Sequence, residues 1–192
     1  MTTLTIRPAL PQHRQGLARC IAEGFERDFS ALCKDTEKTA RAIEGGIRTS
    51  RFWVAEEKDI PAGTAALSDC RERAVRTDRA GYLKHFGPLR GRLALLVLKG
   101  EFEAPLDFPP ETGYLEFVTV ARRCRRQGIA TALLQKILSS GLYQDYILDV
   151  VNTNTGAFRC YEKMGFRPFR QVPEKHSRQK GFDCKIYMKY HP

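Results

Sequence analysis

Two periods of apolar residues alternate along the chain and sketch its elements. Over Thr3 to Arg7, Leu4 and Ile6 alternate with polar neighbours as in a half-buried strand, and Pro8 stops the run. From Gln12 to about Asp28 the spacing changes to four residues, with Leu17, Ile21 and Phe25 on one face of an amphipathic helix. A second helix, capped by Asp35 or Thr36, is expected to carry Ala40, Ile43 and Ile47 inward. Arg51 to Glu56 and Ile60 to Ser68, joined through Glu57, Lys58 and Asp59, read as an antiparallel hairpin.

The pattern then breaks. Residues 69–112 fit no period and carry Gly81, Gly87, Pro88, Gly91, Gly100, Pro105, Pro109 and Pro110. They read as an insert punctuated by turns, a lid or binding segment or else a surface elaboration, in which Arg92 to Leu98 fits helix or strand equally. Regular order returns with a strand at Tyr114 to Val120 and a helix at Gly128 to Ser140, its Ile129, Leu133, Leu134, Ile137 and Leu138 inward and Gly141 at its end. A strand at Tyr146 to Val151, a helix at Thr155 to Met164 stopped by Gly165, and strands near Phe166 to Val172 and Asp183 to Tyr190 complete the chain.

Composition narrows the class of protein. With 192 residues, 42% hydrophobic and 28% charged, the chain has the profile of one folded domain spanning 1–192. The longest apolar run, Leu93 to Leu98, is six residues, against about 20 for a membrane-spanning helix. The N-terminus lacks the pattern of a secretory signal, so a cytoplasmic protein without membrane association is expected. Six cysteines, at 20, 33, 70, 124, 160 and 184, show neither C-x-x-C nor zinc-ligand spacing, so free thiols and no metal are expected. Four arginines around Cys124 would favour its thiolate if the thiol were exposed.

The net charge of +10 raises the question of a polyanion partner. A nucleic-acid-binding module is disfavoured, because no recognition motif is present and the aromatics are not interleaved with the basic clusters in a recognisable pattern. Placement says more than the sum. Basic residues gather at Arg71 to Arg92, Arg122 to Arg126 and Arg159 to Lys180, whereas Glu101, Glu103, Asp107, Glu111 and Glu116 form an acidic stretch.

Tyr114-Leu-Glu-Phe-Val-Thr-Val120 followed by Ala-Arg-Arg-Cys-Arg125-Arg-Gln-Gly128-Ile-Ala130-Thr131 is a strand, a basic loop and a helix start. Such a start has orphan N–H groups and the positive end of the helix dipole, so the loop from Arg125 to Thr131 can aim backbone donors at a pyrophosphate. Gly128 and Ala130 let phosphate oxygens approach, and Arg125 and Arg126 add charge-assisted bonds.

This R-x-x-G-x-A loop resembles the pyrophosphate loop of the GNAT superfamily of N-acetyltransferases. A second segment, Asn154-Thr-Gly-Ala157-Phe-Arg-Cys-Tyr161-Glu-Lys-Met-Gly165-Phe166, is similar to that superfamily's N-x-x-A-x-x-x-Y-x-x-x-G-F, in the same order along the chain. The resemblance implies an α+β fold with a central mixed, mostly antiparallel sheet, helices on both faces, and fourth and fifth strands that splay apart around acetyl-CoA. It further implies that Val118, Thr119 and Val120 pair with the pantetheine arm, that Arg125, Arg126, Gln127, Gly128, Ile129, Ala130 and Thr131 hold the pyrophosphate, and that Asn154, Ala157 and Tyr161 line the cofactor. Asn154 suits a helix N-cap as well.

The implied activity is direct transfer of an acetyl group from acetyl-CoA to an amine in a ternary complex. Tyr161 would protonate the leaving thiolate and Glu116 would take the amine proton, while Glu23, Glu26 and Asp28 could orient the amine. A non-catalytic acyl-CoA sensor would keep the loop and lose the proton donor; Tyr161 argues against it. The acceptor, a small-molecule or peptide amine, is not specified, although the acidic stretch favours a cation, and a homodimer is left open.

Overall fold

The computed structural model describes residues 4–192, so Thr3, where the first strand was expected to begin, lies outside the described residues. In chain order the elements are β1 (Leu4–Pro8), α1 (Arg14–Gly24), α2 (Glu26–Phe29), α3 (Thr36–Ile43), β2 (Phe52–Glu57), β3 (Ile60–Ser68), α4 (Arg79–Phe86), α5 (Pro88–Phe102), β4 (Thr112–Val120), α6 (Ile129–Leu138), β5 (Asp145–Val151), α7 (Thr155–Lys163), β6 (Arg167–Pro173), α8 (Ser177–Lys180) and β7 (Cys184–Tyr190). The strands form one seven-stranded sheet in the order β1-β2-β3-β4-β5-β7-β6. Every adjacent pair is antiparallel except β4 with β5, which run parallel. This is the mixed, mostly antiparallel α+β architecture expected from the sequence.

Each sheet face buries its own core. Against one face, Leu17 and Ile21 of α1, Ala40 and Ile43 of α3 and Tyr82, Ala94, Leu98 and Phe102 of α4 and α5 pack on Phe52 and Val54. On the other, Leu134 and Ile137 of α6 and Tyr161 of α7 meet Leu115, Leu148, Phe166 and Met188. Leu115 and Leu148 are a cross-strand pair, so both point toward α6 and α7.

Local chemistry sets the boundaries. The expected first helix is broken at Phe25, which leaves the helical region before α2 begins. Asp35 caps α3, accepting from the Lys38 N–H at 3.0 Å. Ile47, expected on that helix, is not in it. Gly45 and Gly46 end the helix, Ile47 turns extended and bridges Val75, and a Cβ on Gly46 would collide with the Arg76 carbonyl. Lys58 and Asp59, both at positive φ (49° and 61°), make the tight turn of the β2–β3 hairpin.

The insert is helical where the sequence left helix and strand open, because α5 spans Arg92 to Leu98. Its glycines and prolines are not all breakers. Pro88 sits in the first turn of α5 after Gly87 at φ 82°, whereas Gly91 lies inside the helix where a Cβ would come within 2.7 Å of the Tyr82 carbonyl. The close crossing of α4 and α5 therefore requires a glycine at 91.

Asp69 starts the insert. Its carboxylate accepts the N–H groups of Arg71 and Glu72, both at 2.8 Å, the Tyr143 hydroxyl at 2.6 Å and the Arg51 guanidinium at 2.9 Å. Burial alone would raise this carboxyl; the Tyr143 hydroxyl, the two N–H groups and Arg51 outweigh it and hold it down to about 2. A carboxyl lowered on folding stabilises above its unfolded value near 3.8 and loses that contribution as pH falls through about 2. We predict that Asp69→Asn removes on the order of 2 kcal/mol at neutral pH, and that the difference from the parent, followed by urea unfolding, shrinks between about pH 4 and pH 2.

Candidate active site

Parallel pairing of β4 with β5 runs from Thr112↔Asp145 to Leu115↔Leu148 and then ends. Beyond that point Glu116, Thr119 and Val120 keep partners on β3, and Asp149, Val150 and Val151 keep theirs on β7. The two strands therefore separate inside the sheet. The register of β3 with β4 shifts between Thr64 and Ala66, and Phe117 adopts φ 52°, unusual for a side chain of its size. A bulge of this kind bends a strand away from its neighbour. The rings of Phe25, Phe52 and Phe102 surround Phe117 with centroids 5.8, 6.1 and 5.6 Å away, which holds it in this conformation.

At the far end of β4 the chain turns through Arg122–Cys124, and Arg126 and Gly128 take left-handed conformations (φ 63° and 76°) before α6 starts. Gly128 is the N-cap and gives no side-chain cap bond, so the first N–H groups of α6 face outward from Ile129, Ala130 and Thr131. A Cβ on Gly128 would meet nothing within 4 Å, so the space above this turn is open. Small residues, orphan donors and a positive dipole end fit a pyrophosphate.

The arginines are not equivalent. Arg122 pairs with Glu26 and gives its N–H to Glu23 at 3.1 Å; Arg123 donates to the Pro61 carbonyl at 3.2 Å and Arg125 to the Val120 carbonyl at 3.2 Å. Among the described residues Arg126 alone of the four has no such bond. Glu23 and Glu26, expected to face an amine, are thus tied to the loop. The thiolate expectation for Cys124 fails as well: the thiol is buried, and burial together with Glu57 raises it although Arg123 pulls the other way. Gln127 is exposed on the loop and Thr131 contacts Cys160 at 3.4 Å, joining the starts of α6 and α7.

On the α7 side, Asn154 is the N-cap and accepts from the Ala157 N–H at 3.2 Å. One turn later Tyr161 lies against Phe166 in the core under the sheet. Its hydroxyl makes no hydrogen bond among the described residues, and burial, with smaller contributions from Cys160 and Asp149, pushes the phenol up so that it stays protonated at neutral pH. Val118 and Ala157 are both partly buried against the same core, bringing β4 and the start of α7 to Tyr161.

Glu116 and Asp149 are the first residues past the last pair, one on each separating strand. Both alternate with the leucines and so point to the opposite face from Tyr161. Glu116 receives Arg73 Nη2 on Oε2 at 2.7 Å, and Oε1 takes the Ser68 hydroxyl and, more weakly, the Ala74 N–H at 3.4 Å. Arg73 also donates to the carbonyls of Ala104 at 2.7 Å and Glu101 at 3.1 Å, which clamps the end of α5 to β4. Asp149 accepts the Tyr114 hydroxyl and lies 3.9 Å from Lys185. Sequence reasoning passed over Arg73, Tyr114, Asp149 and Lys185. Only the register placing residue 149 opposite 116 would have pointed to the carboxylate on β5.

The acidic stretch does not form one surface. Glu101 pairs with Lys180 at 3.3 Å and Lys185 at 3.5 Å, and Glu103 accepts from Thr77. Asp28 is solvent-accessible, and desolvation by the surrounding chain and the nearby Glu101 raise its carboxyl, opposed by its own backbone, Lys185 and Arg27. No helix among the described residues is long and apolar enough to cross a membrane.

Residues 18–166 match the acetyltransferase (GNAT) family. Solved structures share the fold over nearly the whole chain. An N-acetyltransferase from Staphylococcus aureus Mu50 is 19% identical, with TM-score 0.64, 97% of this chain and 100% of that one covered. The ribosomal-protein alanine N-acetyltransferase of Escherichia coli is 14% identical, with TM-score 0.60 and coverage of 98% and 94%. A GCN5-related N-acetyltransferase from Kribbella flavida is 19% identical, with TM-score 0.61 and 98% of each chain covered. No curated protein matches the sequence.

The Arg73–Glu116 pair is largely out of solvent, with side chains 14% and 9% exposed. Removing one partner strands the other charge, so Arg73→Ala is expected to cost about 3 to 5 kcal/mol in urea unfolding. Replacing both together, Arg73→Met with Glu116→Leu, is expected to recover most of that loss.

Proposed function

The chain belongs to the acetyltransferase (GNAT) family, and from that premise we propose that it moves the acetyl group of acetyl-CoA to an amine by direct attack in a ternary complex. The observation that carries this reading is the end of β4–β5 pairing at Leu115↔Leu148, with an anion cradle at one end of the gap and an unbonded phenol below it. Acetyl-CoA supplies the activated acyl group as a thioester. The N–H groups of Gly128, Ile129, Ala130 and Thr131 would hold the pyrophosphate, with Arg126 free to add charge, Arg125 able to exchange its Val120 carbonyl for phosphate, and Gln127 beside them.

The main chain of Val118, Thr119 and Val120, without a β5 partner, would pair with the pantetheine arm as an added strand does, and its N–H groups would stabilise charge developing on the acyl oxygen. Asn154 keeps its amide NH2 for that arm while its oxygen caps α7, and Ala157 leaves the approach to Tyr161 clear. The family Tyr161 resemblance agrees with its burial: a phenol that stays protonated can give its Oη proton to the thiolate as the C–S bond breaks.

Glu116 is the carboxylate we assign to the amine proton. Among the described residues its Oε2 has Arg73 as sole partner, leaving a lone pair for the acceptor, and the two Arg73 bonds hold the carboxylate beside the gap. Six free cysteines, Cys20 and Cys124 buried among them, suit a reducing compartment such as the cytoplasm.

Tyr161→Phe removes only the hydroxyl. General-acid catalysis is worth roughly 10² to 10⁴ in rate, so kcat is expected to fall by about that factor with acetyl-CoA affinity within a few fold. Release of free CoA measured against calorimetric binding separates the two, and a loss below about threefold where transfer limits the rate would remove the acid role. Glu116→Gln keeps the shape and removes the base, so its loss of turnover should be largest at low pH, where more amine is protonated. A pH–rate profile equal to the parent's, with the loss appearing in Asp149→Asn instead, would move the base to β5.

A further inference from the structure

Helix α5 is apolar on both faces. Gly91, Ala94, Leu98 and Phe102 are buried, and Leu89, Leu93, Leu96 and Val97 on the other side are 80%, 51%, 78% and 48% exposed. Positions 89, 93, 96 and 97 lie on one helical face, so these side chains form a continuous stripe rather than scattered exposures. A surface helix normally presents polar residues there. Arg90, Arg92 and Lys99 flank the stripe and are exposed, while the one flanking acid, Glu101, is already paired with Lys180 and Lys185.

Helix α5 leads to the transfer gap. Phe102, at the end of α5, packs edge-on against Phe117 at the strand bulge, Arg73 ties the Glu101 carbonyl to Glu116, and Lys185 connects Glu101 to Asp149. At 1.5 Å per residue, Leu89 lies about 20 Å up the helix from Phe102, a distance that a short peptide segment spans.

We propose that the exposed face of α5 docks an acidic amphipathic segment of a polypeptide acceptor, whose apolar side chains cover Leu89, Leu93, Leu96 and Val97 while its carboxylates meet Arg90, Arg92 and Lys99. This deepens the acetyl-transfer reading, on which it rests for the chemistry but not for the binding. Charge decides the occupant. A second copy would bring another net charge of +10 to a rim that is itself cationic, and a helix whose end Arg73 ties to Glu116 serves an acceptor segment held along it, a placement of which a lipid surface makes no use.

The test uses the full chain and a synthetic helical peptide with leucines on one face, glutamates beside them and one lysine on a flexible spacer. Its control carries serine for each leucine. Fluorescence anisotropy is expected to show at least tenfold tighter binding of the leucine peptide, weakened by salt. The Leu93→Ser/Leu96→Ser variant, changed only at exposed positions, is expected to abolish that preference. In turnover, it should raise KM for the leucine peptide at unchanged kcat, with acetylation of free lysine amide untouched. Equal binding of the two peptides, or a variant that keeps the preference, overturns the proposal. So does a variant whose defect is instead the loss of a dimer in sedimentation or of binding to phosphatidylserine vesicles. Tight, stripe-dependent binding without acetyl transfer to any amine would uphold the docking face and count against the transfer reading alone.

Discussion

The arrangement depends on one unmade set of hydrogen bonds. Between Leu115↔Leu148 and the ends of β4 and β5, neighbouring strands of one sheet lose each other as partners, although each remains paired on its outer side. A gap of this kind is costly unless something imposes it, because backbone groups away from water need partners. Here the imposing element is the bulge in β4, with Phe117 at positive φ and held by three rings, Phe25 between α1 and α2, Phe52 on β2 and Phe102 at the end of α5. The helical side of the core thus props the sheet open.

Once β4 bends, the two sheet faces acquire different tasks. Alternation along the strands sends Leu115 and Leu148 toward Tyr161, and sends Glu116 and Asp149 to the side of the insert. A phenol below the gap and carboxylates above it follow from that parity. The insert closes the carboxylate side through Arg73, which bonds Glu116 and the two carbonyls at the end of α5. Charge neutralisation and chain anchoring are therefore one feature, and the helix anchored in this way carries the exposed apolar stripe.

Charge in the loop between β4 and α6 is partitioned in a similar way. Arg122, Arg123 and Arg125 brace the turn through Glu26, Pro61 and Val120, so the loop's left-handed geometry is supported by residues that a tally of positive charge would assign to anion binding. What remains for an anion is the row of N–H groups at the start of α6 with Arg126. Backbone donors that are fixed in place lose little entropy on binding, which suits them to this task better than long side chains.

Features determined by short-range rules were legible in the sequence itself. The caps at Asp35 and Asn154, the strand–loop–helix from Tyr114 to Thr131 and the strand parities all depend on residues a few positions apart, and two motifs in order pointed to the family. Contacts between distant segments were not legible. Helix or strand at Arg92 to Leu98 was decided by packing of α5 on α4, the fate of Ile47 by the approach of Arg76, and the burial of Cys124 by Ile129 and Leu133 around it. Glu116 shows the division most plainly. Its place on a strand beside the gap follows from alternation, but its partner Arg73 is 43 residues away, and only the folded insert brings that guanidinium to the carboxylate.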